Sequence, residues 1–488
     1  MATPPAPAAA TAARFEQLRT DPERLDAFMR AFPKGGDIHH HLIGTPTPDL
    51  FMNVGAERGF CLAPATLEAT AGPCADGAVP FGELAAHPDL SDRLRDAWSL
   101  RALSPGADDV PAHFFGVFPQ IWTLSDDRGL LLAHLKRQAS RENLVYLETQ
   151  LQTPAPTDAI RAAAMTLGLD ADTDVLALRE ALEQAGVLGE IVAQSMLAIE
   201  SYDATARQAL GCDAAPRADG CNVAHRYQMY ALRILPNPMV LADMILAFEV
   251  AHRSPAVVGV NVVGFEGDAN ALTNYEAHMA ALAALRDAYP DVRLALHAGE
   301  LTSREADDAA LKSHVPDAVY VARADRIGHG NAIATSANRE ALLAYLAEER
   351  IPVELSLTSN HWLLGLVGET HHLPLLSDAG VLFTLNTDDA GIFVTDLSRE
   401  YALAARLYPW LDYAAFKRLS RMSLEVSFLP GDSLWQDVDR GTTVDGCAVL
   451  GSPACDALTA TSPRAAAQRQ LEQRFVDFER RVVGGALQ

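Results

Sequence analysis

The sequence predicts an α/β fold, namely a TIM-type (β/α)8 barrel with helical insertions after the first and second strands and extra helices at the termini. Eight short apolar segments of strand length alternate with longer segments of helical periodicity. Residues 256–264 (AVVGVNVVG) form a continuous valine and glycine run, which is typical of a parallel strand buried on both faces. Polar residues follow the strand ends, where the active sites of such barrels lie.

The barrel prediction assigns each apolar segment to a strand and each amphipathic segment to a helix. The predicted strands are 36–42, 144–151, 226–234, 256–264, 292–297, 326–330, 352–360 and 381–387. The predicted helices are 14–32, 113–122, 126–142, 174–210, 238–252, 272–288, 304–323, 337–348 and 396–430. Intervening helices of this kind are the crossovers that parallel strands require.

The chain is predicted to hold one barrel domain over residues 14–430, which includes insertions at 45–110 and 154–224. Residues 1–13 are rich in alanine, proline and threonine, and this composition predicts a disordered tail. Residues 431–488 are predicted to be an irregular segment followed by an amphipathic capping helix.

The charge balance narrows the class of partner. The chain has 39 Lys and Arg against 63 Asp and Glu, a net charge of −24, so no surface-wide basic field attracts nucleic acid or anionic lipid. No apolar run reaches the roughly 20 residues of a membrane span. We therefore expect a small-molecule substrate, with neither nucleic acid nor membrane as a partner. The terminal helices suit either a monomer or a homodimer.

Six cysteines fall into three local pairs outside the predicted strands, namely Cys61/Cys74, Cys212/Cys221 and Cys447/Cys455. This clustering predicts three short disulfides and hence a periplasmic or secreted protein. The alternative is a cytoplasmic protein with unpaired thiols. There is no C-x-x-C spacing for a cysteine zinc site.

Four side chains at predicted strand ends suit a zinc ion. His39 and His41 are two residues apart on the first strand, so both point to one side while His40 points to the other. His297 ends the fifth strand and Asp388 follows the eighth. Three imidazoles and one carboxylate are a typical zinc ligand set, with one ion per chain.

Each of these motifs has a purely structural alternative. A lone H-x-H pair is often a chance cluster or a pair of buried histidines, and paired aspartates at a strand end are often a turn or a helix cap. Their occurrence together at three strand ends favours a metal site. A two-metal hydrolase is a further alternative, but the fourth strand has no lysine to bridge two ions, and this favours a mononuclear site.

Three further polar residues could complete a hydrolytic site. His329, in RIGHG, could act as a base or an electrostatic partner, and Asp389 could orient the attacking water. Glu300 follows His297 in the same loop and could act as an acid if a desolvated pocket raised its pKa. The structural alternatives are a buried histidine that fixes a turn and a loop carboxylate bound to backbone N–H groups.

The chain resembles the adenosine deaminases of the metal-dependent amidohydrolase superfamily. The matching segments occur in family order along almost the whole barrel: PKGGDIHHHLIG (33–44), VVGVNVVGFEGD (257–268), LALHAGE (294–300), RIGHG (326–330), ELSLTSN (354–360), TLNTDD (384–389) and SLEVSFLPGD (423–432). The PKGG opening and the cysteine-containing insertion after the first strand look like the secreted growth-factor-type branch.

The resemblance implies a zinc-dependent aminohydrolase that acts on a cyclic amidine, converting adenosine or 2′-deoxyadenosine to inosine or 2′-deoxyinosine plus ammonia. It implies zinc ligands His39, His41, His297 and Asp388. Glu300 would protonate purine N1, His329 and Asp389 would handle the water, Asp389 would also contact N7, and the Gly264 backbone would meet the N3 side.

One position departs from the family pattern. Ile43 replaces the usual ribose-binding aspartate, so any ribose must be recognised by other groups, from 45–110 or near Trp122. A deaminase of another 6-aminopurine (adenine, AMP or a modified nucleoside) is therefore the alternative function. A low-activity binding or signalling protein on the same barrel is a third hypothesis, which the complete catalytic set disfavours.

Overall fold

A computed structural model describes residues 6–154, 157–167 and 174–485 of the chain. Its centre is an eight-stranded sheet in which every neighbouring pair of strands is parallel and the strands follow chain order. The strands are β1 Lys34–His41, β2 Leu144–Gln152, β3 Ala224–Leu232, β4 Val257–Val263, β5 Arg293–Ala298, β6 Arg326–His329, β7 Val353–Leu355 and β8 Phe383–Leu385. This arrangement confirms the predicted (β/α)8 barrel.

The first and last strands meet where the metal ligands were predicted. Asp388, just after β8, donates its backbone N–H to the carbonyl of His39 (3.0 Å) and accepts the N–H of His41 on its own carbonyl (3.2 Å). The resulting parallel bridge pairs Asp388 with His40. Closure of the barrel thereby brings His40 and Asp388, which are 388 − 40 = 348 positions apart in sequence, side by side.

Helices surround the barrel and fill its connections. The first ten are α1 Pro7–Leu18, α2 Pro22–Ala31, α3 Pro48–Glu57, α4 Pro88–Ala97, α5 Val110–Ile121, α6 Arg128–Arg141, α7 Thr157–Thr166, α8 Val175–Gln184, α9 Val187–Leu210 and α10 Asn237–Arg253. The others are α11 Ala269–Ala288, α12 Asp308–Tyr320, α13 Arg339–Glu348, α14 Leu357–Leu364, α15 Leu373–Asp378, α16 Ala390–Phe393, α17 Leu397–Leu407, α18 Tyr413–Glu425, α19 Pro453–Thr461 and α20 Pro463–Val483.

The N-terminal prediction was wrong in part. Residues 7–13, predicted to be disordered, belong to α1, whose Phe15 and Leu18 are buried. Alanine has the highest helix propensity, Pro7 occupies the first turn, and packing of the apolar face stabilises the helix. The predicted helix over 14–32 is two helices, because Asp21 caps α2 by accepting the backbone N–H of Arg24. Residues 1–5 lie outside the described part of the chain.

Other element predictions were also wrong in part. The helices predicted over 174–210 and 396–430 are each two helices, α8 with α9 and α17 with α18. The seventh strand, predicted over 352–360, ends at Leu355, and Leu357 begins α14, which buries Leu363 and Leu364. The apolar–polar alternation of its first residues continues by chance into the helix. The predicted irregular segment over 431–462 contains α19, which is capped by Ser452.

Three disulfides join the cysteine pairs predicted from the sequence, namely Cys61–Cys74, Cys212–Cys221 and Cys447–Cys455. The first lies in a small antiparallel sheet formed by Cys61–Leu62, Ala69–Thr70 and Val79–Pro80. The predicted periplasmic or secreted location stays a prediction. Within the described residues, none of the helices combines the length and apolarity that crossing a bilayer demands.

Candidate active site

The carboxyl ends of β1 and β5 carry the three histidines predicted as ligands. The ring centroid of His297 lies 4.4 Å from that of His39 and 5.4 Å from that of His41. His39 and His297 are almost fully buried. His40 is not in this cluster, and its Nδ1 lies 3.6 Å from Asp37 Oδ1. Although β1 is irregular between Asp37 and His40, both predicted ligands reach the site and the histidine between them does not.

Asp388 completes this cluster with a carboxylate. Its Oδ1 lies 3.3 Å from His41 Nε2 and 3.8 Å from His39 Nε2. Burial opposes ionisation, but the hydrogen bond to His41 and the nearby imidazoles hold the pKa of Asp388 below its usual value. Its backbone is left-handed (φ 59°), which costs a non-glycine residue about 1–2 kcal/mol. Such strain is concentrated at functional sites.

Potential ligand atoms fall into two overlapping groups. Within each group, one nitrogen or oxygen from every residue lies within 4.8 Å of the others. The groups are His39, His297, His329 and Asp388, and His41, Asp388 and Asp389. The predicted ligands are thus divided between two groups that share Asp388, so distance alone does not separate His41 from His329 as a ligand.

Hydrogen bonds show which histidines present a free lone pair to this cluster. His39 Nδ1 lies 2.6 Å from the ionised carboxylate of Glu354, which fixes the proton on Nδ1. The Nδ1–H of His297 donates to Asn261 Oδ1 (3.0 Å), an atom identified as oxygen because it also accepts the backbone N–H of His297. Both rings therefore leave Nε2 free, which is the arrangement usual for metal-bound histidines.

His329 is held in the opposite tautomer. The backbone N–H of Leu373 donates to His371 Nδ1 (3.0 Å), so the proton of the neutral His371 ring is on Nε2. This Nε2–H donates to Asn360 Oδ1 (2.9 Å), and the Asn360 amide nitrogen donates to His329 Nδ1 (3.2 Å). Burial lowers the pKa of His329 to about 3, so the ring is neutral and its proton lies on Nε2. The Nδ1 lone pair of His329 is then engaged by the Asn360 amide and Nε2 bears the proton, so neither nitrogen is free to bind a metal.

The donor set fits a divalent cation. Buried His39 Nε2 has no hydrogen-bond partner among the described residues, although an unpaired buried polar atom is costly. Burial and the neighbouring imidazoles hold the pKa of His297 well below its usual value, so the ring is neutral as a ligand must be. Burial lowers the pKa of His41, but the carboxylates of Asp389 and Asp388 outweigh it and raise that pKa. A metal ion bound between His41 and these two aspartates would take the place of the proton that the raised pKa of His41 favours.

Glu300 has the raised pKa that its predicted role as a catalytic acid requires. Burial, together with the charge of Asp388, raises its pKa well above the usual value, and its Oε1 has no hydrogen-bond partner among the described residues. Glu266 accepts the backbone N–H groups of Gly299 and Glu300 (2.9 and 3.0 Å), so the loop that carries the acid is fixed. The carboxylate that binds the backbone N–H groups of this loop is therefore that of Glu266, whereas the alternative considered from the sequence assigned this to Glu300.

Asp389 lies beside the cluster on the substrate side. Burial and the negative charge of Asp388 raise its pKa to about 8, and its buried Oδ1 has no partner among the described residues. Gly44 packs directly against it, because a Cβ at Gly44 would lie only 1.6 Å from Asp389 Oδ1. Asp389 thus lines the cavity while Gly44 restricts the position of its carboxyl group.

These residues line one cavity of about 990 Å³, at the upper end of the range for small-molecule sites. His41, His297, Glu300, Asp388 and Asp389 lie at one part of its wall, and Gly264 (φ 97°) also lines it. Ile43 and Trp122 contribute to the wall, whereas insertion 45–110 contributes none of the lining residues. Of the two regions proposed for ribose recognition, the structure therefore favours the one near Trp122.

Sequence reasoning missed the residues that hold the site in place: Glu354, Asn261, Asn360, His371 and Glu266. The first two are fully buried polar residues on apolar strands, β7 and β4. A polar residue within a buried strand needs a partner, and this signal could have identified both.

The chain is similar in sequence to known deaminases. The family model for adenosine deaminase matches residues 115–439. The aminodeoxyfutalosine deaminase of Streptomyces avermitilis is 43% identical over 134 residues, which cover 27% of this chain and 34% of that protein. The adenine deaminase of Agrobacterium fabrum is 32% identical over 241 residues, covering 47% of this chain and 68% of that protein.

A solved amidohydrolase from Burkholderia ambifaria with bound zinc has the same fold, with a TM-score of 0.54 at 17% identity over 92% of this chain and 96% of that one. The chain therefore spans about a third of the length of the first of these relatives and nearly all of the solved structure. The family model covers two thirds of the sequence, in the region that contains Glu300, His329 and Asp388. On this evidence the chain belongs to the adenosine deaminase family.

Proposed function

We propose that this chain is a zinc-dependent aminohydrolase that replaces the 6-amino group of a purine nucleoside by oxygen and releases ammonia. The observation that carries the proposal is the cluster of His39, His297 and Asp388, because His297 and Asp388 line the same cavity as the high-pKa carboxyl of Glu300. Adenosine and 2′-deoxyadenosine are the substrates that the family resemblance implies. The names of the relatives cover other purines, namely aminodeoxyfutalosine and adenine.

His39, His41, His297 and Asp388 would hold one zinc ion, which supplies a water of lowered pKa at this end of the cavity. The hydrogen bonds of Glu354 and Asn261 support this set by directing Nε2 of two histidines toward the ion. The tautomer of His329 supports its exclusion from the set.

The other residues act on the purine and on the water. Protonated Glu300 donates to N1, which makes C6 more electrophilic as the water oxygen bonds to it. His329, with its proton on Nε2, stabilises developing negative charge as a donor, and this favours the electrostatic role over the base role considered from the sequence. Asp389 would present its carboxyl group to the water and to N7. Ionised Asp389 would accept one proton of the water and pass it to the amino group, which leaves as ammonia when the C6–N bond breaks. The second water proton would return to Glu300, whose own proton stays on N1.

A second candidate function is deamination of another 6-aminopurine. It is favoured by Ile43, an apolar side chain in the cavity wall at the position where the family pattern has a ribose-binding aspartate. Both candidates use the same residues at the 6-amino end. They differ in what the rest of the cavity must recognise.

The test is a panel of adenosine, 2′-deoxyadenosine, adenine and AMP, with loss of adenine absorbance, ammonia release and metal content measured on one protein sample. We expect one zinc per chain and deamination of at least one of these compounds. Stoichiometric zinc without ammonia from any of them would refute the proposed function. Turnover of adenine or AMP alone would select the second candidate.

A further inference from the structure

Arg128, at the start of α6, is a buried cation in the wall of the candidate active-site cavity. Its exposed fraction is 8%, and its Nη1 has no hydrogen-bond partner among the described residues. Among the carboxylates that the structure describes, none forms an ion pair with Arg128 within 4.0 Å: Asp127, next to it in sequence, pairs with Arg58, and Asp126, which also lines the cavity, is exposed. A buried guanidinium without a counter-charge is costly.

The other arginine of this cavity wall is fully paired. Nε and Nη2 of Arg161 donate to the two oxygens of the buried carboxylate of Asp243, at 2.9 and 2.7 Å. Arg128 instead has neutral neighbours: its guanidinium carbon lies 5.6 Å from the centre of the Trp122 ring, and Tyr202 provides a hydroxyl. These contacts orient Arg128 without neutralising it, so its charge is available to a molecule in the cavity.

Arg128 lines the same cavity as His41, Asp388 and Asp389. Tyr230, whose ring lies 6.1 Å from that of His41, also lines it. The cavity thus combines an acidic cluster suited to a metal ion with a cation in its wall. Ile43 provides no polar group for the sugar, whereas Arg128 has a guanidinium nitrogen without a partner among the described residues.

On the basis of the proposed function, we propose that Arg128 binds an anionic group, phosphate or carboxylate, carried by the N9 substituent of the 6-aminopurine. Guanidinium is suited to this role because its planar donors match both anions. The acidic surface of the protein does not conflict with a single bound anion, because the positive charge is confined to this cavity.

The test compares kcat/KM for adenosine, AMP and adenosine-5′-carboxylic acid in the wild-type enzyme and in Arg128→Met, Arg128→Lys and Arg141→Met. We expect the wild type to prefer at least one anionic substrate, and the preferred one identifies phosphate or carboxylate. Arg128→Met should reduce the anionic-to-neutral ratio about 10- to 100-fold, mainly through KM, as expected for one hydrogen bond to a charged group. Arg128→Lys should retain part of the preference.

Arg141→Met is the matched control, because Arg141 is exposed on the same helix and the ratio should not change. Thermal unfolding of each variant checks that the fold is kept. A wild-type preference for adenosine over both anionic substrates, or an unchanged ratio in Arg128→Met, would overturn the proposal.

Calorimetric titration with inosine and IMP separates failure of this proposal from failure of the proposed function. At least tenfold tighter binding of IMP, lost in Arg128→Met, would support the anion site even if none of the 6-aminopurines were deaminated. Deamination together with equal binding of inosine and IMP would keep the proposed function and refute the anion site.

Discussion

Nδ1 of His39 lies 2.6 Å from a carboxylate oxygen of Glu354, and both side chains are fully buried. The second oxygen of Glu354 pairs with Arg326, whose guanidinium also binds Glu148. The buried ion pair therefore orients the histidine from inside the barrel, and it holds the pKa of Glu354 below its usual value although burial opposes this.

Glu354→Gln should weaken metal binding about 10- to 100-fold, the cost usual for losing a carboxylate that supports a metal-bound histidine. The neutral amide is a poorer acceptor for Nδ1–H and leaves Arg326 without its ionic partner. Competition with a chelator measures the affinity, and Glu348→Gln, an exposed change on α13, is the control. Unchanged zinc affinity in Glu354→Gln would show that the contact does not support the ion.

His41→Ala and His329→Ala should differ in metal retention. His41 contacts Asp388 and can offer a lone pair, so its removal should lower zinc affinity at least about 100-fold, above the range for supporting residues. His329 has its Nδ1 occupied by Asn360, so His329→Ala should lose turnover and keep stoichiometric zinc. Metal analysis after dialysis distinguishes the two. The reverse result would make His329 the ligand, in agreement with distance alone.

The strand ends and the ligands were predictable because they share one simple geometry. Histidines two residues apart point the same way on any strand, and parallel strands of a barrel place their carboxyl ends together. His39 and Asp388 could therefore be brought together without knowledge of the helices between them. The predicted meeting of His39 and Asp388 does not depend on where those helices begin and end.

Other features depend on contacts that a single sequence does not display. Leu357 continues the alternation of Val353 and Leu355, yet it begins a helix because its later turns bury Leu363 and Leu364. The tautomer of His329 depends on a chain of hydrogen bonds. This chain runs from the backbone N–H of Leu373 through His371 and the Asn360 amide to His329. The charge of Arg128 is unpaired only because neighbouring carboxylates point elsewhere, and residue spacing carries no record of this.

Glu300→Gln should retain zinc and lose at least about 100-fold in kcat, the lower end of general acid catalysis. The acid form is the active one, and burial raises the pKa of Glu300 well above its usual value, so that form persists to higher pH. Activity should therefore fall on the alkaline side, as pH rises through this raised pKa. A pH profile of kcat for both enzymes checks the assignment, because the variant should lack this alkaline limb. Near-normal kcat would refute the role of Glu300.

Gly44→Ala should disable the enzyme by displacing Asp389. The added methyl carbon would lie 1.6 Å from Asp389 Oδ1, so the carboxyl group must move, and a displacement of about 1 Å can cost about 100-fold in rate. Zinc should be retained, because Asp389 is not one of the proposed ligands. The control is Gly189→Ala, within α9, where a Cβ meets nothing within 4 Å and helix propensity improves. Full turnover in Gly44→Ala would show that the position of Asp389 is not critical, whereas loss of zinc would place Asp389 among the ligands.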